Sequence, residues 1–456
     1  MPRQIVRRSE PAILVKSFVS FTMIFNVQHR ALVWLAYGLV SLAYLAQIAT
    51  PLRLITDGVD YLLQASSAAD GFGFLVHGQP SMRPPGYPAL IVILEKVGLG
   101  KSWAIVALNC LLLGVGCWTS YFLLVHSFGF DVLTAQLCCL LTLLSFVMVR
   151  NVTYPLSDVC YFGVSSLCLL LLIRAESSAL PHRLTLMAAS LAVLIFCIEL
   201  RTIGVALLPA FVWALIGGQA GARRASRWVL RYKALSALFV LLAFIVILGA
   251  GSSLLHSRYF KFNSPIFQSR GLLGSVVSNL RDHTTEWGEL VLNAPTSKLP
   301  SVFAFPVRMI GLLAIGLFAY GLSRKAKRFD SVDCYVLGYA SIVFAYPWYD
   351  TRLWLPLVPL LAGYMLSALR HLFSARMLRP IILAYGFLFC VFGILSLGYS
   401  TRVTFAGRRF PDLYGDGRFA DTYRVALLGE KPRNENAVSP DALFLLRRYE
   451  WRLASK

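Results

Sequence analysis

A chain of 456 residues that is 57% hydrophobic and only 14% charged lies outside the range of soluble domains, in which about a quarter of residues are charged. Its apolar residues come in long runs rather than short alternating strands, which excludes an ordinary soluble enzyme and defines an all-α polytopic membrane protein. The net charge of +21 would suggest nucleic acid in a soluble protein. Here the excess sits in short loops beside apolar spans, where orientation and anionic lipid account for it, so a bilayer and no nucleic acid is expected as partner.

Residues 1–30 carry Arg3, Arg7, Arg8, Lys16 and Arg30 around a short apolar piece. They read as a cytoplasmic, interfacial segment rather than a span or a cleavable signal. About eleven transmembrane helices are expected, at 31–51, 102–125, 131–149, 156–173, 184–199, 203–217, 234–254, 302–322, 334–349, 353–369 and 380–399. The short ones (184–199, 203–217 and 334–349) are open to being broken or kinked. Of the nine cysteines, eight (Cys110, Cys117, Cys138, Cys139, Cys160, Cys168, Cys197 and Cys390) lie within apolar runs. No CxxC or Cys/His ligand spacing occurs, so neither disulfides nor zinc are expected.

With the N-terminus cytoplasmic, three basic clusters fall on the inner side: Arg223, Arg224, Arg227, Arg231 and Lys233; Arg324, Lys325, Lys327 and Arg328; and Arg370, Arg376 and Arg379. That satisfies the positive-inside rule for an odd number of spans. The outer side then receives the first loop 52–101, the turn 150–155, the Glu199–Arg201 corner, a long loop 255–301, the turn Tyr349–Trp354 and the tail 400–456. Residues 31–399 form the transmembrane module, and the tail is expected to be a small cap with no independent fold.

The unusual charges collect on that outer face. Asp57 and Asp60 follow the first span, and Asp158 opens the fourth within Tyr154-Pro155-Leu156-Ser157-Asp158. Glu199 and Arg201, then Asp350 and Arg352, occupy later turns. Each has a purely structural alternative. Asp57 and Asp158 suit helix caps, Asp60 a solvated loop, and the Glu199–Arg201 and Asp350–Arg352 neighbours suit local ion pairs. Independent accidents would scatter over both faces, however, and carboxylates beside a bilayer are costly unless solvated or in use. Between Asp57 and Pro88 the chain ends in Arg83-Pro84-Pro85-Gly86-Tyr87-Pro88, too rich in proline for a regular helix. An acid here suits proton removal from a hydroxyl attacking a sugar carbon. Arginines suit a lipid-linked phosphate, whose oxygens they bind bidentately and whose leaving charge they neutralise. Acids with a phosphate would also suit a divalent cation. Trp103, Trp348 and Trp354 read as interface anchors, and Tyr259, Phe260, Phe262, Trp287 and Tyr414 as candidates to stack on sugars. His77 stands alone in its loop.

These residues resemble a family, the GT-C type integral-membrane glycosyltransferases, which include the protein O-mannosyltransferases and the bacterial lipid A aminoarabinose transferases. Asp57-Gly58-Val59-Asp60-Tyr61 is similar to the family's Asp-Glu-x-x-Tyr, with Gly58 in place of the second acid, so that Asp60 must substitute. The segment from Arg83 through Pro84, Pro85 and Tyr87 resembles the basic-Pro-Pro-x-x-Tyr/Trp segment, and Tyr154 to Asp158 resembles the second acidic site. Arg201-Thr202-Ile203-Gly204 with Pro209, and Arg352 with Pro356 and Pro359, resemble the later basic motifs. The likeness spans about 50–365.

It implies a GT-C fold with juxtamembrane helices on the outer face, in a plasma membrane of bacterial inner-membrane type. It further implies an inverting transferase that moves a sugar from a polyprenyl-phosphate donor to a lipid, glycan or protein acceptor outside. Asp57 would be the catalytic acid or base, with Asp60 and Asp158 at the same centre. Arg83, Arg201 and Arg352 would hold donor phosphate, and Tyr61, Tyr87 and Tyr154 would contact substrate. A divalent cation (Mg or Mn), needed by some members, would fall to Asp57 and Asp158. Competing readings are a transporter or flippase of lipid-linked sugar, whose charges would sit near the midplane, a non-catalytic assembly subunit, and a ligase for preassembled glycans.

Overall fold

The structure of the protein, a computed structural model, describes residues 27–216, 258–414 and 417–453. Among the described residues, six helices are long and apolar enough to cross a membrane: Ser102–His126, Ser157–Ser177, Pro181–Leu200, Ser301–Lys325, Thr351–Leu372 and Ala375–Thr404. Four shorter apolar helices, Ala31–Gln47, Val132–Leu143, Thr202–Leu215 and Ser331–Ala345, fill the remaining expected positions. The span at 234–254, the cluster Arg223–Lys233 and residues 1–26 lie outside the described residues. The protein is therefore an all-α polytopic membrane protein, and strand among the described residues is confined to a hairpin of Leu75–Val76 with Gln79–Pro80.

The departures from regular spans have local causes. The helix expected over 131–149 stops at Leu143 and resumes as Phe146–Asn151. Asn293 fills the gap, accepting the Phe146 N–H at 2.7 Å and donating to the Leu144 and Phe389 carbonyls at 3.0 Å each, so it supplies partners to backbone groups freed by the broken turn. Two helices open as tight 3-10 turns, Thr202–Leu207 and Thr351–Leu357, before continuing as Leu208–Leu215 and Val358–Leu372. Pro209, Pro356 and Pro359 sit at these junctions, where their missing N–H is tolerated. Likewise, Pro88 is accommodated in the first turn of a helix, Gly86–Lys96, although the proline-rich segment was expected to resist one.

The stretch expected as a long loop is helical over Arg258–Leu292, interrupted at Gly271 (φ +65°). Its many charged residues hide it from a hydropathy reading. The helix crosses Ala304–Lys325 backbone to backbone: a Cβ on Gly288 would run into the Val307 carbonyl, and one on Gly311 into that of Thr284. Trp287, expected as a sugar platform, is buried instead against Trp354 (5.1 Å between ring centroids) and Phe318 (5.3 Å). Trp354 is likewise fully buried and not an interface anchor.

The tail 400–456 grips the extended segment leading from the first helix to Asp57. Glu450 accepts the Leu52 N–H at 2.6 Å, and the Tyr423 hydroxyl accepts from Leu54 N–H and donates to the Leu52 carbonyl, both at 2.7 Å. Tyr414 donates to the Leu54 carbonyl at 2.6 Å, so it too is buried structure and not a sugar platform. Arg53 lies buried between them, donating to Thr50, Ser400 and Thr404. His77 is 3.2 Å from Asp441 of the same tail. Tyr423→Phe strands a buried N–H and a buried carbonyl at once. It is expected to cost about 1–3 kcal/mol, read as a lowered unfolding temperature in detergent.

Candidate active site

Asp57 occupies the first turn of the helix Thr56–Ala69, but it does not cap it: the cap position is Ile55. Its two oxygens go to two guanidiniums instead. Oδ1 accepts from Arg83 Nη2 at 2.7 Å, and Oδ2 accepts from Arg352 Nη2. Arg83 also donates through Nε to Asp60 Oδ2 at 3.0 Å, and its guanidinium lies 5.6 Å over the Tyr61 ring. Arg352 donates through Nε to Asp350. Asp60, Arg83, Asp57, Arg352 and Asp350 therefore form one chain of alternating charge, closed between residues 295 positions apart.

A second pair lies beside it. Arg201 donates to Asp158 and not to its neighbour Glu199, the alternative local partner, which is exposed. Asp158 is only 2% exposed, and Arg201 supplies its counter-charge. The Tyr61 hydroxyl, 2.9 Å from Ser157 Oγ, ties the Asp57 helix to the first turn of Ser157–Ser177. Gly58 makes this approach possible, because a Cβ there would come within 2.9 Å of Pro155. Any side chain at position 58 would press on the Pro155 ring.

The electrostatics follow from these contacts. Burial opposes ionisation of Asp57, but Arg352 and Arg83 outweigh it and hold the carboxyl below its usual value. At Asp350 the balance reverses, and burial raises it despite Arg352. Asp57, Asp350 and Arg352 open onto a polar cavity of about 410 Å³, whose walls also carry Arg150, Tyr154, Glu289, Thr296 and Tyr349.

The sequence-predicted residues divide accordingly. Asp57, Arg352 and Tyr154 face the cavity; Asp60 and Arg83 are joined to Asp57 outside its lining, Asp158 and Arg201 pair with each other outside it, and Tyr61 is buried under Arg83. Tyr87 is fully buried, with its hydroxyl 3.4 Å from Asn109, and so takes no part in lining the cavity. Arg150 was missed. It donates to the Tyr154 hydroxyl at 3.2 Å and has no carboxylate within salt-bridge distance among the described residues. A lone arginine at the expected outer end of a span, against the charge bias, was the available signal. The residues do not fit a divalent cation held by Asp57 and Asp158. Both oxygens of the first and one of the second already accept from guanidiniums, and no group of three or more His, Cys, Asp or Glu gathers among the described residues.

The chain is similar to solved structures of ArnT from Cupriavidus metallidurans. In the apo state the TM-score is 0.51 at 15% identity, covering 93% of this chain and 85% of that one. In the form bound to undecaprenyl phosphate it is 0.52, again at 15% identity, over 92% and 85%. At that identity the likeness establishes the shared fold. No family model and no curated protein matches the sequence.

Proposed function

We propose that the protein is a membrane glycosyltransferase that moves a sugar, with inversion, from a polyprenyl-phosphate donor to a hydroxyl-bearing acceptor on the outer face of the membrane. The observation that carries this reading is a carboxylate, Asp57, sharing one polar cavity with Arg352 and with Arg150, which has no carboxylate within salt-bridge distance among the described residues. Asp57 would accept the proton of the acceptor hydroxyl as its oxygen attacks the anomeric carbon. The bond from that carbon to the phosphate oxygen breaks, and the charge gathering on the departing lipid phosphate is met by the arginines. Asp158 and Arg201 keep the helix entrances in place.

A second cavity supports a lipid-linked donor. It measures about 790 Å³ and is walled mostly by apolar side chains, including Trp287, Leu290, Val358 and Phe389. The linings of the two cavities meet at consecutive residues of one helix, Glu289 and Leu290. One of the solved relatives in fold is bound to undecaprenyl phosphate. Charges at helix ends also favour surface chemistry over transport, whose sites lie on broken helices at the midplane.

Titrating purified protein with undecaprenyl phosphate tests the reading. Binding well above that of the neutral polyprenol is expected, weakened about tenfold or more by Arg352→Gln and by Arg150→Gln, since each removes a charge-assisted bond. Equal affinity for phosphate and alcohol would sink it.

A further inference from the structure

Arg352 does not hold its place alone. The turn that presents it is fastened from below by two acids on successive turns of the helix Arg258–Leu292, in a segment that contains none of the motifs discussed above. Glu286 Oε1 accepts the backbone N–H of Asp350 at 2.5 Å, and Oε2 accepts the Trp354 indole N–H at 2.7 Å. His283 Nδ1 lies 2.7 Å from the same Oε2, and neither His283 nor Glu286 has any exposed side-chain surface. One turn on, Glu289 accepts from the Thr351 hydroxyl and, at 2.6 Å, from that of Thr296. Residues three apart share a helix face, so consecutive residues of the turn, Asp350 and Thr351, are tied to consecutive acids of one rod.

Burying carboxylates is unfavourable unless their lone pairs are filled, and apolar side chains would pack this space more simply. A single carboxylate, however, can take several N–H and O–H donors at once. The rod is itself fixed by the close crossing at Gly288 and Gly311. The bonds run without a break from Glu286 to Asp350, from Asp350 to Arg352, and from Arg352 to Asp57.

We propose that Glu286 and Glu289 are positioning residues that set Arg352 where it meets the donor phosphate, so that the polar helix Arg258–Leu292 is part of the active-site machinery. This rests on the reading of Arg352 as a phosphate-binding group. A small displacement of such a group loses much of its effect, about a hundredfold for 1 Å in favourable cases.

The test is a pair of double-mutant cycles on affinity for undecaprenyl phosphate, which needs no activity to be measured. Glu286→Gln, close in size, is expected to raise the Kd about tenfold in the otherwise unchanged protein, and by less than about twofold in the Arg352→Gln background. Thr351→Val, which removes one hydroxyl and disturbs folding least, should repeat the pattern at smaller amplitude. A merely structural role would weaken binding by the same factor in both backgrounds, and that result overturns the proposal. So does unchanged affinity in both Glu286→Gln and Thr351→Val. If instead Arg352→Gln alone leaves affinity unchanged, the reading of Arg352 fails, a result distinct from additive losses.

Discussion

Asp57→Asn is expected to lower sugar transfer by two orders of magnitude or more, the usual cost of removing an acid–base group, while the protein stays folded and still binds polyprenyl phosphate. The substitution keeps the shape of the side chain and removes only its charge and basicity. Arg83 and Arg352 lose a counter-charge, but Arg83 retains Asp60 and Arg352 retains Asp350. All of these groups are partly open to solvent, so the cost in stability is about 1 kcal/mol or less. Affinity for a lipid phosphate should hold or improve, because a competitor for the same guanidiniums is gone. The sign of the pH dependence is also fixed. Asp57 is held below its unfolded value by Arg352 and Arg83 against the effect of burial. Its pairing therefore stabilises the fold above the usual carboxylate range and is lost only as the pH falls through the lowered value. At neutral pH it is an anion, as a proton acceptor must be. A transfer rate in Asp57→Asn equal to that of the unaltered protein would remove it from the chemistry.

The second large effect is expected at Arg201. Replacing it with Leu leaves the Asp158 carboxylate, 2% exposed, without its guanidinium. Stripping one partner from a buried pair costs about 3–5 kcal/mol. Adding Asp158→Asn should recover much of that loss, because the stranded charge disappears with it. Unfolding temperature in detergent reads both steps. A double variant as unstable as Arg201→Leu alone would mean that the pair is not what holds these helix ends together.

Most of the membrane-crossing architecture was legible because a span needs about twenty apolar residues and little else. Charge placement gave the clustered face, since helix ends alternate sides and Asp57, Asp158, Arg201 and Arg352 all fall at the same kind of end. What remained hidden depends on partners far away in sequence. Nothing local to Arg201 indicates that Asp158 outcompetes Glu199 for it, and nothing around Tyr414 or Tyr423 indicates that they hold Leu52 and Leu54. The helix Arg258–Leu292 was hidden for the opposite reason. Its acids and histidine mimic a solvated loop, although Glu286 and His283 are fully buried. Gly58 stands where the motif has an acid, and its close approach to Pro155 is a tertiary contact that the sequence does not show.

The central claim is that this cavity cleaves a lipid-linked sugar phosphate. Its most direct test is the unaltered protein in sealed proteoliposomes, supplied with a panel of labelled polyprenyl-phosphate sugars and a membrane extract as acceptor source. The account predicts release of polyprenyl phosphate from one donor with its sugar transferred to acceptor. Passage of an intact donor across the bilayer, with no polyprenyl phosphate released from any member of the panel, would contradict it and establish a transporter.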